Sequence, residues 1–170
     1  MDRIDKILAQ WNRERPDLDT TPMGLIGRLG NVAHHLGREM DRTFAQFGLN
    51  RATFDVLATL RRSGAPYALS PSDLMATMMV TSGTMTNRID QLEKGGLVAR
   101  SINPEDGRSF LVSLTEKGFA LIDSAVTAHV ETQARLVSGL SEEEKAALNA
   151  LLGKYLADFE SSALENSVEV

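Results

Sequence analysis

The sequence predicts a mainly α-helical fold with one small β-hairpin, and three observations support this prediction. Leu, Ala and Met outnumber the β-branched and aromatic residues that favour strands. Apolar residues recur three or four positions apart through most of the chain, which is the spacing of an amphipathic helix. Two short apolar runs flank the turn-forming segment Asn103-Pro104-Glu105-Asp106-Gly107. The length of 170 residues fits one domain, or a compact two-part body whose parts share helices.

The first helix is predicted over residues 2 to about 14. Ile4, Leu8 and Trp11 are spaced so that they lie on one face of this helix. Pro16 favours extended backbone at the residue before it. The helix is therefore expected to end ahead of this proline, and a linker follows.

A second, longer helix is predicted from the N-cap Thr21 to about Phe47. Pro22 suits the first helical position, and Gly48 ends the helix. Glycine recurs every third residue within it, which predicts close packing against another helix rather than a phosphate-binding loop. These glycines are Gly24, Gly27 and Gly30.

Three helices are predicted in the middle of the chain. The first is capped by Asn50 and ends at Ser63. The second is short and covers residues 70 to about 78, and the third covers residues 81–94 and stops at Gly95-Gly96. Two apolar runs, residues 97–102 and 110–114, then form the β-hairpin.

The last two helices are predicted from their capping residues. Thr115 caps a long helix. Ser141 and Glu144 form a capping box that opens the final helix, whose apolar stripe covers residues 148–159. Residues from about 161 to 170 are expected to be frayed.

Two helices joined by a tight turn and followed by a β-hairpin make a winged helix-turn-helix. The predicted DNA-binding region is therefore residues 48–114, flanked by N-terminal helices in residues 1–47 and C-terminal helices in residues 115–170. The apolar stripes of these flanking helices need a partner. Pairing them between two copies of the chain gives a symmetric homodimer that presents two DNA-binding units to double-stranded DNA.

The helix over residues 81–94 has two different faces. Met85, Ile89 and Leu92 form the face that is expected to be buried. The opposite face carries small and polar side chains of the kinds that contact base edges and phosphates in a major groove. The predicted DNA-binding residues on it are Ser82, Thr84, Thr86, Asn87, Gln91 and Lys94. Asp90 lies on the same face and fits a DNA contact poorly.

The hairpin adds one more candidate DNA contact. Arg108 follows Asp106-Gly107 at the tip, where an arginine can enter the minor groove. The net charge of −5 does not oppose this, because it lies in the C-terminal helices. Residues 116–170 hold 4 Lys or Arg against 10 Asp or Glu, whereas residues 1–115 hold 14 against 13. The middle of the chain can therefore approach phosphates.

Other classes of protein are less favoured. The sequence has no Cys, and His34, His35 and His129 show no metal-ligand spacing, so neither an enzyme, a metal site nor a cofactor is predicted. No apolar run reaches the roughly 18 residues of a membrane span, and the N-terminus lacks a signal-peptide core, so a cytoplasmic protein is expected. A winged helix that binds only protein is a third possibility, and it would lack salt-dependent DNA affinity.

Three segments resemble the MarR family of multiple antibiotic resistance regulators. They are the stretch from Val80 to Val98, the wing sequence Asp106-Gly107-Arg108, and Leu114-Thr115-Glu116-Lys117-Gly118. The resemblance covers about residues 30–155. It implies a homodimeric regulator, usually a repressor of divergent promoters, that binds a palindromic operator.

The added N-terminal helix resembles that of a urate-responsive subgroup of this family. The subgroup carries a Trp on this helix, an Asp early in the helix before the helix-turn-helix, an Arg after an Asn in the recognition helix, and an Arg just beyond it. Trp11, Asp55, Arg88 and Arg100 match in type and place. The resemblance implies that urate or a related purine releases the protein from DNA. Aromatic carboxylates or phenolic compounds are the alternative effectors.

These four residues also suit such a ligand chemically. Urate is a flat, weakly acidic ring with several carbonyl groups. Trp11 can provide an aromatic wall, and Arg88 and Arg100 can donate paired hydrogen bonds. Without ligand, Asp55 is expected to pair with Arg88, so an anion would compete with this carboxylate and shift the recognition helix.

Overall fold

A computed structural model describes residues 1–78, 82–104, 106–107 and 109–168 of the chain. In order along the chain, the described elements are α1 (Arg3–Glu14), α2 (Thr21–Gln46), α3 (Arg51–Arg62), β1 (Ala68–Leu69), α4 (Pro71–Met78), α5 (Ser82–Lys94), β2 (Val98–Ile102), β3 (Phe110–Leu114), α6 (Glu116–Leu136) and α7 (Glu142–Val168). The mainly helical fold with a β-hairpin is confirmed. No helix in the described part of the chain is long and apolar enough to cross a membrane.

The chain divides into two compact units, Met1–Thr132 and Gln133–Val170. The core of the first unit is formed by apolar side chains from α3, α4, α5, the sheet and α6. The largest fully buried side chains in it are Val56, Leu57, Leu60, Leu74, Met85, Ile89, Val112 and Ile122. Helix α5 is therefore held by a continuous core, because its buried side chains pack with those of α3, α4 and β2.

The strands form one antiparallel sheet in the order β1-β3-β2. The predicted hairpin pairs β2 with β3 from Val98 opposite Leu114 to Ile102 opposite Phe110. Strand β1 was not predicted, since its two residues carry no recognisable alternation of apolar and polar side chains. It pairs with β3 through Ala68 opposite Ser113.

The predicted caps of α3, α6 and α7 are confirmed. Asn50 accepts a hydrogen bond from the Thr53 amide at 2.9 Å, and Thr115 Oγ1 accepts one from the Gly118 amide at 3.0 Å. In the capping box of α7, the Ser141 amide donates to the Glu144 carboxylate at 2.8 Å. Each cap satisfies amides that the first helical turn leaves without a partner.

Two predicted helix ends are wrong. The N-cap of α2 is Thr20 rather than Thr21, and it makes no side-chain capping bond. Instead, the Thr21 amide donates to the Asp19 carboxylate at 3.0 Å, so the acidic side chain two residues earlier supplies the acceptor. Helix α7 continues to Val168 where fraying was expected, since no proline interrupts it. The predicted start of α5 at Thr81 lies outside the described residues.

Helix α1 packs against α2 at two of the three regularly spaced glycines. A Cβ on Gly24 would lie 3.0 Å from Leu8 Cδ1, and one on Gly27 would lie 3.1 Å from Ile4 Cδ1. The third glycine has open space around it. Close packing is therefore confirmed for the first two, because a larger side chain there would push α1 away.

Candidate nucleic-acid interface and effector cleft

Helix α5 is fixed through its apolar face. Met85, Ile89 and Leu92 are at most 2% exposed, as predicted. Its other face is open to solvent, and the exposed side chains on it include Thr84, Thr86, Asn87, Gln91 and Lys94. The Ser82 side chain and the whole of Arg108 lie outside the described residues. The arrangement presents hydroxyl, amide and ammonium groups on one rigid helical surface, which suits contacts with bases and phosphates.

Asp90, which fits a DNA contact poorly, has a partner in the structure. The Arg100 guanidinium on β2 donates to the carboxylates of both Asp90 and Glu93. The same guanidinium lies 5.3 Å from the centre of the Phe110 ring. This ion cluster of Asp90, Glu93 and Arg100 joins α5 to the wing, and the single cation balances one of the two carboxylate charges.

A close backbone contact holds the start of α6 against the turn that follows α5. A Cβ on Gly118 would lie only 1.9 Å from the Leu97 carbonyl oxygen, so a side chain there requires the two backbones to separate. Thr115 Oγ1 donates to the Gly96 carbonyl at 2.8 Å, and Lys117 Nζ donates to the Gly95 carbonyl at 2.9 Å. These contacts explain physically why the Leu-Thr-x-x-Gly segment needs its threonine and its glycine.

A cleft of about 760 Å³ opens beside α5 within the first unit. Its walls come from α3, α4, α5 and α6. Both polar groups and aromatic or apolar side chains line it, as in many small-molecule sites. The residues that matter for its chemistry are Phe54, Asp55, Arg62, Arg88, Val126 and His129.

Asp55 and Arg88 both line this cleft. Partial burial raises the pKa of the Asp55 carboxyl, and attraction to Arg88, Arg51 and Arg62 opposes the rise. Among the described residues, Asp55 and Arg88 interact through charge rather than through a hydrogen bond. The Arg88 guanidinium therefore keeps its donors available for a ligand.

Trp11 and Arg100 do not line the cleft in this chain. Trp11 lies on α1 with 42% of its surface exposed, and Arg100 belongs to the ion cluster. Of the four residues that resemble the urate-responsive site, only Asp55 and Arg88 thus line the cleft within one chain.

Sequence reasoning missed His129 as a member of the cleft. Its ring lies against the rings of Phe44 and Phe54, with both centroid distances 5.1 Å. Burial lowers the pKa of His129, and the Asp55 carboxylate opposes this shift. The spacing from Ile122, which is seven residues earlier on the buried face of α6, is the signal that could have placed this histidine facing α3.

Helix α5 carries both Arg88, which lines the cleft, and the exposed polar face. A helix-turn-helix whose second helix presents polar side chains beside a β-hairpin defines the winged-helix class of DNA-binding proteins. Within this class, residues 49–110 match the family model described as MarR family. The chain is also 46% identical over 151 residues to the HTH-type transcriptional regulator PecS of Dickeya dadantii (strain 3937), which covers 89% of this chain and 91% of that protein. The chain belongs to the MarR family.

Solved structures of related proteins agree with this assignment. A mutant MarR from Escherichia coli complexed with operator DNA is 28% identical to this chain and has a TM-score of 0.68. The match covers 86% of this chain and 97% of the MarR chain. The Staphylococcus aureus MepR–DNA complex is 26% identical and has a TM-score of 0.68, and the match covers 76% of this chain and 94% of the MepR chain. The chain is therefore a DNA-binding transcription regulator of the MarR type, and this family is not one of enzymes.

Proposed function

We propose that the protein is a homodimeric repressor that binds a palindromic operator and is released by urate or a related purine. The observation that carries this proposal is that Arg88 belongs to α5 and lines the cleft. One element thus contains both the polar DNA-facing surface and a cationic side chain available to a ligand. A ligand that binds Arg88 can therefore alter the position of the helix that contacts DNA.

The homodimer is supported by apolar side chains that remain exposed in the single chain. On α2, Leu25 is 61% exposed and Val32 is 54% exposed. On α7, Leu151, Leu156 and Phe159 are 66%, 58% and 57% exposed. Isolated exposed apolar residues are ordinary, but a helical stripe of them is typical of a protein interface. A second copy of the chain offers the same stripes and buries them symmetrically.

DNA contacts are proposed from the exposed surface of α5 and the wing. Thr84, Thr86, Asn87 and Gln91 can reach base edges, and Lys94 can reach phosphate. Ser82 and Arg108 stay in the proposal as predicted contacts from the sequence. Two such surfaces related by a two-fold axis match a palindromic operator.

The effector is proposed to be a purine because the cleft places the Asp55 carboxylate, an acceptor, beside several donors. The Asp55 carboxylate can accept from a ring N–H group, and Arg88 can pair with an anionic or carbonyl oxygen. An anion here also competes with Asp55 for Arg88. Trp11 and Arg100 complete the proposed set, although Arg100 can contact a ligand only by leaving the two carboxylates of the ion cluster.

A gel shift on the upstream intergenic DNA of the protein's own gene, titrated with urate, tests this proposal. We expect urate to release the wild-type complex and to act weakly on Trp11→Ala and Arg88→Ala. Arg42→Ala, which removes an exposed arginine outside the cleft, is the matched control and should respond as wild type does. Release by salicylate, with no response to urate, would support the aromatic carboxylate class instead.

A further inference from the structure

His129 combines two features that a purely structural histidine does not need. Its ring packs against Phe44 and Phe54, so a phenyl group would fill the same space without any polar atom. It nevertheless lines the cleft that also contains Asp55 and Arg88. A polar ring is thus placed between an aromatic cluster and a proposed ligand site.

The two ring nitrogens of His129 lie in different surroundings. Nδ1 is buried and has no hydrogen-bond partner among the described residues, whereas Nε2 is not enclosed in this way. A neutral imidazole carries its proton on one nitrogen and a lone pair on the other. A buried N–H without an acceptor is rarer in proteins than a buried acceptor without a donor. The proton therefore belongs on Nε2, the other nitrogen of a ring that lines the cleft.

Burial keeps this ring neutral at neutral pH, because it lowers the pKa of His129 below its ordinary value of 6.5. Neutral His129 then offers the cleft one N–H donor. Asp55, on the opposing helix α3, offers an acceptor, and its charge opposes the lowering of the His129 pKa without being the larger cause. The cleft thus pairs one acceptor and one neutral donor beside the cation of Arg88.

We propose that His129 donates a hydrogen bond from Nε2 to a carbonyl oxygen of the bound ligand, and that the cleft thereby selects rings of the cyclic amide or ureide class. Such a ring presents an N–H group for Asp55 and a neighbouring C=O group for His129. This inference rests on the proposed function, because it assumes that the cleft holds the effector. An aromatic carboxylate lacks the ring N–H group, so it leaves the Asp55 carboxylate without a donor.

Isothermal titration of urate into the full-length protein tests the role of His129. His129→Phe keeps the aromatic packing and removes the donor, so urate affinity should fall about three- to tenfold, the usual effect of one neutral hydrogen bond. His129→Gln supplies an amide N–H at the same reach and should recover most of that loss. His35→Phe makes the same substitution at an exposed histidine of α2 and should bind urate as wild type does.

The outcomes separate this inference from the proposed function. If wild-type protein fails to bind urate, both the proposed effector and the inference about His129 are overturned. If wild type binds urate and His129→Phe binds equally well, only the inference is overturned. A loss in His129→Phe that His129→Gln does not recover would assign the residue to packing, which also overturns the inference.

Nitrogen-15 NMR of histidine-labelled wild-type protein gives a test that does not depend on a variant folding. We expect one histidine to show the Nε2–H tautomer in the free protein, and its Nε2 resonance to shift when urate saturates the cleft. A Nδ1–H tautomer for His129, or an Nε2 resonance that urate leaves unchanged, would contradict the proposal.

Discussion

Arg88 and Arg100 lie twelve residues apart in sequence, yet their surroundings differ. Arg100 donates to Asp90 and Glu93 and lies beside the Phe110 ring. Arg88 faces a cleft, and among the described residues its interaction is the attraction of Asp55. The Arg100 guanidinium is thus already occupied by anions, whereas the Arg88 guanidinium is held by charge alone.

This difference indicates where a small anion can act. Within the described part of the chain, binding to Arg88 displaces no hydrogen bond and adds new ones, whereas binding to Arg100 requires two carboxylates to be displaced first. Because Arg88 belongs to α5, a ligand bound in its cleft acts directly on the helix that is proposed to contact DNA. Arg100 instead maintains the position of α5 relative to the wing.

The turn between α5 and β2 connects the elements that carry the two arginines, and Gly118 anchors it by its close contact with Leu97. Breaking this contact should have the largest effect on the stability of the protein. Gly118→Ala places a Cβ against the Leu97 carbonyl oxygen, so we expect the free energy of unfolding to fall by about 3 kcal/mol. Urea denaturation measures this loss. Gly30→Ala makes the same change on α2 where no atom lies within 4 Å, and it should not destabilise. Equal stability of the two variants would contradict the described contact.

The comparison of the two arginines is tested directly by urate titration calorimetry. Arg88→Ala removes charged hydrogen bonds to the ligand, which are worth about 1.5–3 kcal/mol, so urate affinity should fall at least tenfold. Arg100→Ala should change urate affinity less, since Arg100 is engaged by Asp90 and Glu93. A larger loss in Arg100→Ala than in Arg88→Ala would reverse the assignment of the two side chains.

The proposed role of Arg100 at the DNA-facing surface predicts a smaller effect on operator binding. Arg100→Ala leaves the Asp90 and Glu93 carboxylates without their cation, so operator affinity should fall several-fold, most clearly at low salt. The variant that also carries Asp90→Asn should regain part of this affinity. Gel shifts at two salt concentrations measure both changes, and additive losses in the double variant would contradict the ion-pair explanation.

The smallest predicted effect concerns pH. Burial raises the pKa of Asp55 in the folded protein above its value of 3.8 in the unfolded chain. The folded state therefore favours the protonated acid, and the resulting stability is present below that value and lost as pH rises through the folded-state pKa. Asp55→Asn should remove this loss and stabilise the protein slightly at neutral pH. Thermal melts between pH 4 and 7 would contradict this if wild type and variant lost stability in parallel.

Local signals in the sequence were sufficient for most elements. The caps at Asn50 and Thr115 and the buried face of α5 depend on residues within one or two helical turns, so the sequence contains the whole pattern. Strand β1 is different, because its pairing of Ala68 with Ser113 joins residues far apart in the chain. A two-residue strand carries no periodicity from which to predict it.

The candidate site was predictable only in part for the same reason. Asp55 and Arg88 were matched by resemblance, and the fold places both in the cleft. His129 joins them from α6: its spacing from Ile122 places it on the buried face of that helix, but only tertiary packing brings this face to the cleft. Similarly, the carboxylate partners of Arg100 became apparent only when the turn after α5 brought β2 alongside that helix.

The central claim is that a ligand at Arg88 and operator DNA oppose each other through α5. Urate affinity measured by calorimetry on the free protein and on the operator-bound protein tests this claim most directly. Linkage requires operator DNA to weaken urate binding by the same factor by which urate weakens operator binding, typically about 5- to 150-fold. Identical urate affinities in the two states would show that the cleft and the DNA-binding surface are not coupled, and would contradict the account.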